Sequence, residues 1–230
     1  MEYEAYIQYL RGSILFQGMD DESLLEVVRA GKLRRVQNGD HFFHQGDPAR
    51  VLYVLVEGRV KFTQVTAEGD QVIVRMSGPG EMFGAVAALG DEVHPASGEA
   101  TGDCAALGWR SEVISGLLER FPRMAINVVR FLAGRVKEFQ DRYRELATER
   151  VERRLAHGIL RLASQIGKPV AGGTLIDLTL SRQDIAEMTG TTIYTVSRTL
   201  SKWEAEGIIE SGRERVLVRK SDALRAIADD

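Results

Sequence analysis

The sequence predicts an α+β fold with an N-terminal antiparallel β-roll, a long central helix and a C-terminal winged helix-turn-helix. Three observations support this prediction. Residues 33–109 alternate apolar runs with glycine-centred turns, a heptad pattern of apolar residues follows Pro122, and two short helical patterns meet at Gly190 before a hairpin pattern. We therefore divide the 230 residues into an N-terminal domain at 1–121, a central helix at 122–147 and a C-terminal domain at 148–230.

The N-terminal domain shows the turn spacing of a small antiparallel barrel or jelly roll. Apolar runs such as VLYVLV and CAALGW alternate with glycines that recur every 7 to 12 residues, namely Gly39, Gly46, Gly58, Gly69 and Gly80. Ahead of them, Asp20 and Asp21 give the start signal for a lead-in helix over Ser23–Arg29. A glycine ladder alone fits many all-β folds, so this pattern indicates architecture and not function.

The central helix carries one narrow apolar seam with charged flanks. Its apolar residues follow one another in steps of four and three, namely Ala125, Val129, Leu132, Val136, Phe139, Tyr143 and Leu146. A helix that packs only on its own domain usually shows a wider apolar stripe. The seam therefore predicts a contact between two copies of the chain, with a hinge after it at Thr148 or Glu149.

The C-terminal domain contains two short helices around a tight turn. Ser181 and Asp184 form a capping-box pattern at the start of the first helix, and Gly190 ends that helix. The second helix, over residues 192–206, is expected to bury Ile193, Val196, Leu200 and Trp203. Its other face presents hydrogen-bonding side chains on a helix slim enough for a major groove. After it, Ile208–Val218 predicts a hairpin that turns at Ser211–Glu214.

These motifs resemble the Crp/Fnr family of transcription regulators. RQDIAEMTG and TVSR match the signature of the family's two DNA-reading helices, and FHQGD and GEMFG resemble its cyclic-nucleotide-binding domain. The resemblance implies a homodimeric activator that binds palindromic double-stranded DNA and RNA polymerase. Tyr194, Ser197 and Arg198 would then face base edges, within a DNA-binding set that also contains Arg182, Thr191, Thr192, Thr195, Lys202 and Arg213.

One position in this set departs from the family. The family's usual glutamate is replaced by Tyr194, which removes a carboxylate acceptor for cytosine. The common half-site of the family is therefore not expected.

The effector region departs from the family's cyclic-nucleotide binders. Those proteins hold the ribose with a glutamate and the phosphate with an arginine, whereas the matching positions here are Ala85 and Ala96. Without these anchors a buried phosphate is strongly disfavoured, so cyclic AMP is not expected to bind. The candidate effector pocket comprises Gly84, Ala85, Val86, Ala96 and Ser97.

The DNA-reading half resembles the nitrogen-oxide-responsive branch of the family (NnrR and Dnr types), which implies nitric oxide and haem as a candidate signal. The possible imidazole ligands are His41, His44, His94 and His157, and each is more simply explained as a structural residue. Cys104 stands alone, and it is most simply explained as a small buried residue. A single cysteine excludes both a disulfide within one chain and a cysteine-ligated iron–sulfur sensor.

Composition narrows the classes of protein to which the chain can belong. The opening MEYEAYIQYL is acidic and no apolar run approaches about 18 residues, so we expect a cytoplasmic protein without a signal peptide or membrane span. Residues 148–230 carry 13 Lys and Arg against 12 Asp and Glu, so phosphate contacts must come from local side chains.

We predict no catalytic residues, no metal site and no enzyme activity. Two alternatives stay open: a cyclic-nucleotide-domain signalling subunit, and a haem protein that does not act on DNA.

Overall fold

The chain forms α-helices and short antiparallel strands across the residues that the computed structural model describes, which are 4–69, 71–85, 92–177, 181–212 and 215–230. The helices are α1 Glu4–Gly12, α2 Asp21–Ala30, α3 Ser111–Arg120, α4 Pro122–Thr148, α5 Val151–Ile166, α6 Arg182–Thr189, α7 Ile193–Ala205 and α8 Ser221–Asp229. The strands are β1 Lys32–Val36, β2 His41–Phe43, β3 Val51–Glu57, β4 Val60–Val65, β5 Gln71–Ser77, β6 Met82–Phe83, β7 Ser97–Ala100, β8 Cys104–Arg110, β9 Lys168–Val170, β10 Gly173–Asp177, β11 Ile209–Gly212 and β12 Arg215–Val218.

Contacts divide the chain into two compact units. Unit 1 comprises Met1–Gln64 and Ser77–Glu138, and unit 2 comprises Val65–Met76 and Phe139–Asp230. Most of strand β5 therefore groups with the C-terminal part of the chain, which the sequence did not predict.

Unit 1 contains the antiparallel β-roll, which confirms the predicted fold. One sheet has the strand order β1-β8-β3-β6, and β2, β7 and β4 lie next to one another in a second sheet. Aromatic rings of β2 and β4 meet rings of β3 and β6, as in the contact between Phe43 and Phe83, whose centroids are 6.2 Å apart. Aromatic side chains thus fill the space between the two sheets.

Helices cover the outer side of the roll in unit 1. Helix α2 begins at Asp21 because the side chain of Asp20 caps it, accepting a hydrogen bond of 2.8 Å from the Ser23 amide. The buried Trp109 ring donates to the Val27 carbonyl at 2.7 Å, which ties α2 to strand β8. The buried Asn127 amide of α4 donates to the carbonyls of residues 15 and 17 at 3.0 and 2.9 Å.

Unit 2 has its own apolar core, formed by α5, α6, α7, α8 and a four-stranded sheet of order β11-β12-β10-β9. The predicted wing hairpin is confirmed, since Ile209 pairs with Val218 across β11 and β12. Ile73 and Met76 are buried in this core, and the Arg142 guanidinium donates to a carbonyl of the same β5 segment.

Candidate nucleic-acid interface and effector region

The turn between α6 and α7 is fixed by its own backbone and side-chain hydrogen bonds. The Ser181 hydroxyl accepts from the Asp184 amide at 3.0 Å, and the Asp184 carboxylate accepts from the Ser181 amide at 2.7 Å, so the predicted capping box is confirmed. Gly190 ends α6 in the left-handed conformation with φ of 61°, which favours glycine. Thr192 then starts α7 by accepting from the Thr195 amide at 3.3 Å.

Helix α5 holds this turn through a single arginine that sequence reasoning missed. The Arg154 guanidinium donates to the Thr189 carbonyl at 3.1 Å, to the Gly190 carbonyl at 3.1 Å and to the Glu149 carbonyl at 3.0 Å. These carbonyls belong to the end of α6, to the turn and to the segment between α4 and α5. Arg154 therefore links the segment after α4 directly to the helix-turn-helix.

Close approach of α5 and α6 also depends on a glycine. A Cβ atom on Gly158 would lie 2.8 Å from the Thr189 side chain, which is closer than two non-bonded carbon atoms approach each other. The absence of a side chain at this position lets α6 pack against α5.

The outer face of α7 presents the side chains that were predicted to contact bases. Tyr194 is 73% exposed, Arg198 is exposed and Ser197 is half-buried, one turn along the same face. Thr192 is exposed, and Thr191 and Thr195 are half-buried at the start of the helix. Val196, Leu200 and Trp203 are buried as predicted. Ile193 was wrongly expected to be buried, because it is 49% exposed.

Lys202, a member of the predicted DNA-binding set, is paired with a carboxylate and does not lie free on this surface. Its ammonium group donates to the Glu152 carboxylate of α5 at 2.8 Å, and the Trp203 ring donates to the same oxygen at 3.2 Å. The hydrogen bond between the two groups raises the pKa of Lys202 and lowers the pKa of Glu152. Glu152 therefore pairs with one of the positive charges in the predicted DNA-binding set.

The wing is tied to α7 by a carboxylate. Glu204 accepts from the Ser211 amide at 2.8 Å and from the Ser211 hydroxyl at 2.5 Å, and this hydroxyl bond is the main cause that lowers the pKa of Glu204. Arg182 is exposed at the first turn of α6. Arg213 of the predicted DNA-binding set lies outside the described residues.

The predicted seam of α4 is largely exposed in the single chain. Val129, Val136, Phe139, Tyr143 and Leu146 are each more than half exposed, with Phe139 highest at 71%. The seam's other two members, residues 125 and 132, are half-buried. A stripe of exposed apolar side chains on one helix costs free energy in water, and covering it would recover that cost.

The two roll positions that were predicted to match the anchors of a cyclic nucleotide carry uncharged side chains. Ala85 and Ala96 are both buried, and the Ser97 hydroxyl accepts a hydrogen bond of 2.9 Å from the backbone amide of Gln45. A Cβ atom on Gly84 would lie 2.6 Å from the Val51 carbonyl, so the backbone is tightly packed there. Val86 of the candidate pocket lies outside the described residues.

Stacked aromatic rings occupy the space beside these residues. The His94 ring lies 3.6 Å from the Phe43 ring and nearly parallel to it, and burial lowers the pKa of His94. Phe62 and Phe83 complete the same cluster with centroids 5.5 Å apart.

The other side chains considered as haem ligands, and Cys104, each contact neighbouring groups of the protein. His41 and His44 stack on one another at 4.4 Å beside an open polar cleft of about 890 Å³, and His157 lies 3.5 Å from the Glu149 carboxylate. The buried Cys104 thiol donates to the Arg59 carbonyl at 2.9 Å, and burial raises its pKa. Within the described ranges, no three His, Cys, Asp or Glu side chains come together as a metal site, and no helix is long and apolar enough to span a bilayer.

A roll of the cyclic-nucleotide-binding type followed by a winged helix-turn-helix defines a class of DNA-binding regulators. Residues 33–121 match the family described as Cyclic nucleotide-binding domain, and residues 153–227 match the Crp-like helix-turn-helix domain. Together these matches cover more than two-thirds of the chain. The chain belongs to the Crp/Fnr family of DNA-binding transcription regulators.

Individual relatives agree with this assignment. The chain is 29% identical over 219 residues to the Cyclic AMP receptor protein of Thermus thermophilus, covering 95% of this chain and 98% of the relative. It is 26% identical over 193 residues to the Fumarate and nitrate reduction regulatory protein of Escherichia coli, covering 84% and 77%.

Solved structures extend the comparison to the fold. The Thermus thermophilus Catabolite Activator Protein is 29% identical with a TM-score of 0.56, covering 94% of this chain and 99% of that one. FixK2 from Bradyrhizobium japonicum gives a TM-score of 0.75 at 24% identity, covering 86% and 96%, which shows a shared fold.

Proposed function

We propose that the chain is a homodimeric transcription regulator that reads a palindromic operator with helix α7. The observation that carries the proposal is the exposed outer face of α7, which presents Tyr194, Ser197 and Arg198 beside a turn that Arg154 holds in place. An arginine on such a helix can bond two acceptors of guanine, and a serine can bond several bases. The positive ends of the helix dipoles at the starts of α6 and α7 also favour phosphate oxygens.

Selection from random duplex DNA tests this proposal and does not require the operator sequence. Full-length protein should enrich a two-fold symmetric sequence whose half-site centres lie about one helical turn, or a multiple of it, apart. Protection of the phosphates and bases by bound protein should map to successive major grooves. Enrichment of no sequence above the starting pool would contradict the proposal.

We propose that the functional division of the chain follows the sequence boundaries, with a sensor at 1–121, a dimerisation helix at 122–147 and a DNA-binding domain at 148–230. The exposed seam of α4 supports this, because a second copy of the same helix offers a matching apolar stripe. Two linked recognition helices are needed, since one half-site gives little affinity against the excess of non-specific DNA. Contact with RNA polymerase and activation of transcription follow from the family resemblance.

We propose an effector other than cyclic AMP. The roll interior supports this, because Ala85 and Ala96 stand where charged anchors are needed and aromatic rings fill the adjacent space. The resemblance of residues 190–213 to the nitrogen-oxide-responsive branch makes nitric oxide the candidate signal. A regulatory role without enzyme activity is consistent with the relatives, which are transcription regulators.

The described histidines do not suit haem as a carrier of that signal. His94 is stacked flat on Phe43, His41 and His44 are stacked on each other at a polar cleft, and His157 lies beside Glu149. We therefore propose that the signal does not act through haem held by these histidines. Titration of the purified protein with haem tests this: a saturable absorption band at one haem per subunit that disappears in His94→Ala would contradict it.

A further inference from the structure

Two large side chains at the start of α7 are exposed although the other large apolar residues of the helix are buried. Ile193 is 49% exposed and Tyr194 is 73% exposed, whereas Val196, Leu200 and Trp203 are 1% exposed or less. The exposed half of the Ile193 side chain adds no hydrophobic stabilisation to the folded chain, so it is available to a partner.

The position of Ile193 identifies that partner within the proposed function, on which this inference rests. Ile193 is the first residue of α7, directly after the Thr192 cap, and helical periodicity puts it one turn from Ser197 on the same side. In helix-turn-helix proteins the N-terminal residues of the second helix come nearest to the base edges. A side chain here is therefore within reach of a base, and Ile193 lies next to the polar face assigned to base contacts.

The chemistry of Ile193 then restricts which base it can contact favourably. An isoleucine neither donates nor accepts a hydrogen bond, and it would leave the polar edges of guanine, cytosine or adenine without partners. Thymine alone among the four bases carries a methyl group in the major groove. We propose that Ile193 is a specificity residue that packs on the C5-methyl group of a thymine in each half-site.

Removing only the methyl group tests this proposal. The operator enriched from random DNA is synthesised with deoxyuridine in place of each thymine in turn, symmetrically in both half-sites, and the dissociation constant is measured with full-length protein. One thymine should matter most, with affinity falling about 4-fold per half-site, the value for one buried methyl-sized group. The same base pair should tolerate deoxyuridine without further loss in Ile193→Ala.

Two further variants make the test independent of folding. Ile193→Val keeps the shape at Cβ and should show a smaller loss on methyl removal than the unchanged protein. Val113→Ala, which trims an exposed aliphatic residue of α3, should keep the full methyl dependence. Thermal melting of each protein confirms that the variants are folded.

Each outcome decides for or against the proposal. Loss of the methyl effect in Ile193→Ala, with the effect retained in Val113→Ala, supports it. A half-site without an essential thymine, or an equal methyl effect in Ile193→Ala and the unchanged protein, overturns it while leaving operator reading by α7 in place. Failure of the unchanged protein to bind any operator would overturn the proposed function itself and this inference with it.

Discussion

The side chains at the start of α7 are exposed to solvent, whereas those in the interior of the β-roll pack against one another. On α7, Tyr194 and Arg198 reach solvent from a helix that is capped at Thr192. In the roll, Phe43 and His94 stack on one another and the neighbouring positions hold small residues without charge. One region leaves polar side chains exposed to solvent, and the other packs its aromatic rings against one another.

The difference shows that a fold and its ligand are specified by different residues. The sheets of the roll need apolar residues facing inward and glycines at their turns, and both are present. A cyclic nucleotide needs in addition a carboxylate and a guanidinium at two positions, and Ala85 and Ala96 supply neither. We therefore propose that the scaffold is retained while its usual ligand chemistry is absent.

The largest expected effect comes from charging the seam of α4. Val136→Glu combined with Phe139→Glu should give a folded monomer, because burying four added carboxylates between two helices is strongly unfavourable. Operator affinity should then fall by at least about 100-fold, since specific binding typically exceeds non-specific binding by more than that. Sedimentation measures the mass. The control variant, Arg130→Glu with Lys137→Glu, adds two carboxylates on the solvated flank with an even larger change of charge, and it should remain dimeric.

The next effect concerns the exposed face of α7. Arg198→Ala should weaken operator binding by about 1 to 3 kcal/mol and relax the preference at one base pair in each half-site, the value of an arginine–guanine pair. Arg225→Ala removes the same charge from α8, where the arginine is paired with Asp222 at 3.0 Å, and should bind almost normally. Unchanged base preference in Arg198→Ala would show that the base-reading residues lie elsewhere.

A smaller effect tests how tightly the turn is held. Gly158→Ala should destabilise unit 2 by about 1 to 3 kcal/mol, because the added methyl group would overlap the Thr189 side chain. Gly116→Ala is the matched control on α3, where the added methyl group meets no atom within 4 Å, and it should stabilise by about 0.5 to 1 kcal/mol. Denaturant unfolding gives both values, and equal behaviour of the two variants would contradict close packing of α5 on α6.

The smallest effect is a pH dependence of the link between α7 and the wing. The folded state lowers the pKa of Glu204 through its hydrogen bonds to Ser211, so this carboxylate stabilises the protein above its unfolded pKa and loses that contribution as pH falls through the folded value. Because Glu204 is only partly buried, the contribution should be about 0.5 kcal/mol. Glu204→Gln should be less stable than the unchanged protein near neutral pH, and the gap should close in acid.

Sequence reasoning predicted the features that depend on neighbouring residues. The Ser181 capping box, the Gly190 turn and the wing hairpin each follow from residues within a short stretch, and the structure confirms all three. The prediction that Ile193 lies in the core was wrong. Ile193 follows the helical period of the apolar residues, but it is the first residue of α7 and its side chain is 49% exposed.

Features that depend on distant residues could not be predicted. The Lys202 charge looked free because its partner Glu152 is 50 residues away. In the same way, no local pattern shows that Arg154 reaches the α6 turn 35 residues later. The grouping of residues 65–76 with unit 2 likewise follows only from the folded core.

The most direct test of the contrast between α7 and the roll interior is the operator affinity of the full-length protein measured with and without cyclic AMP. We predict specific binding that Arg198→Ala weakens and that about 1 mM cyclic AMP leaves unchanged, because the positions expected to hold the ribose and the phosphate are Ala85 and Ala96. An allosteric effector typically changes affinity by about 5- to 150-fold. A change of that size on addition of cyclic AMP would contradict the account, because it would show that the filled roll still accepts the nucleotide.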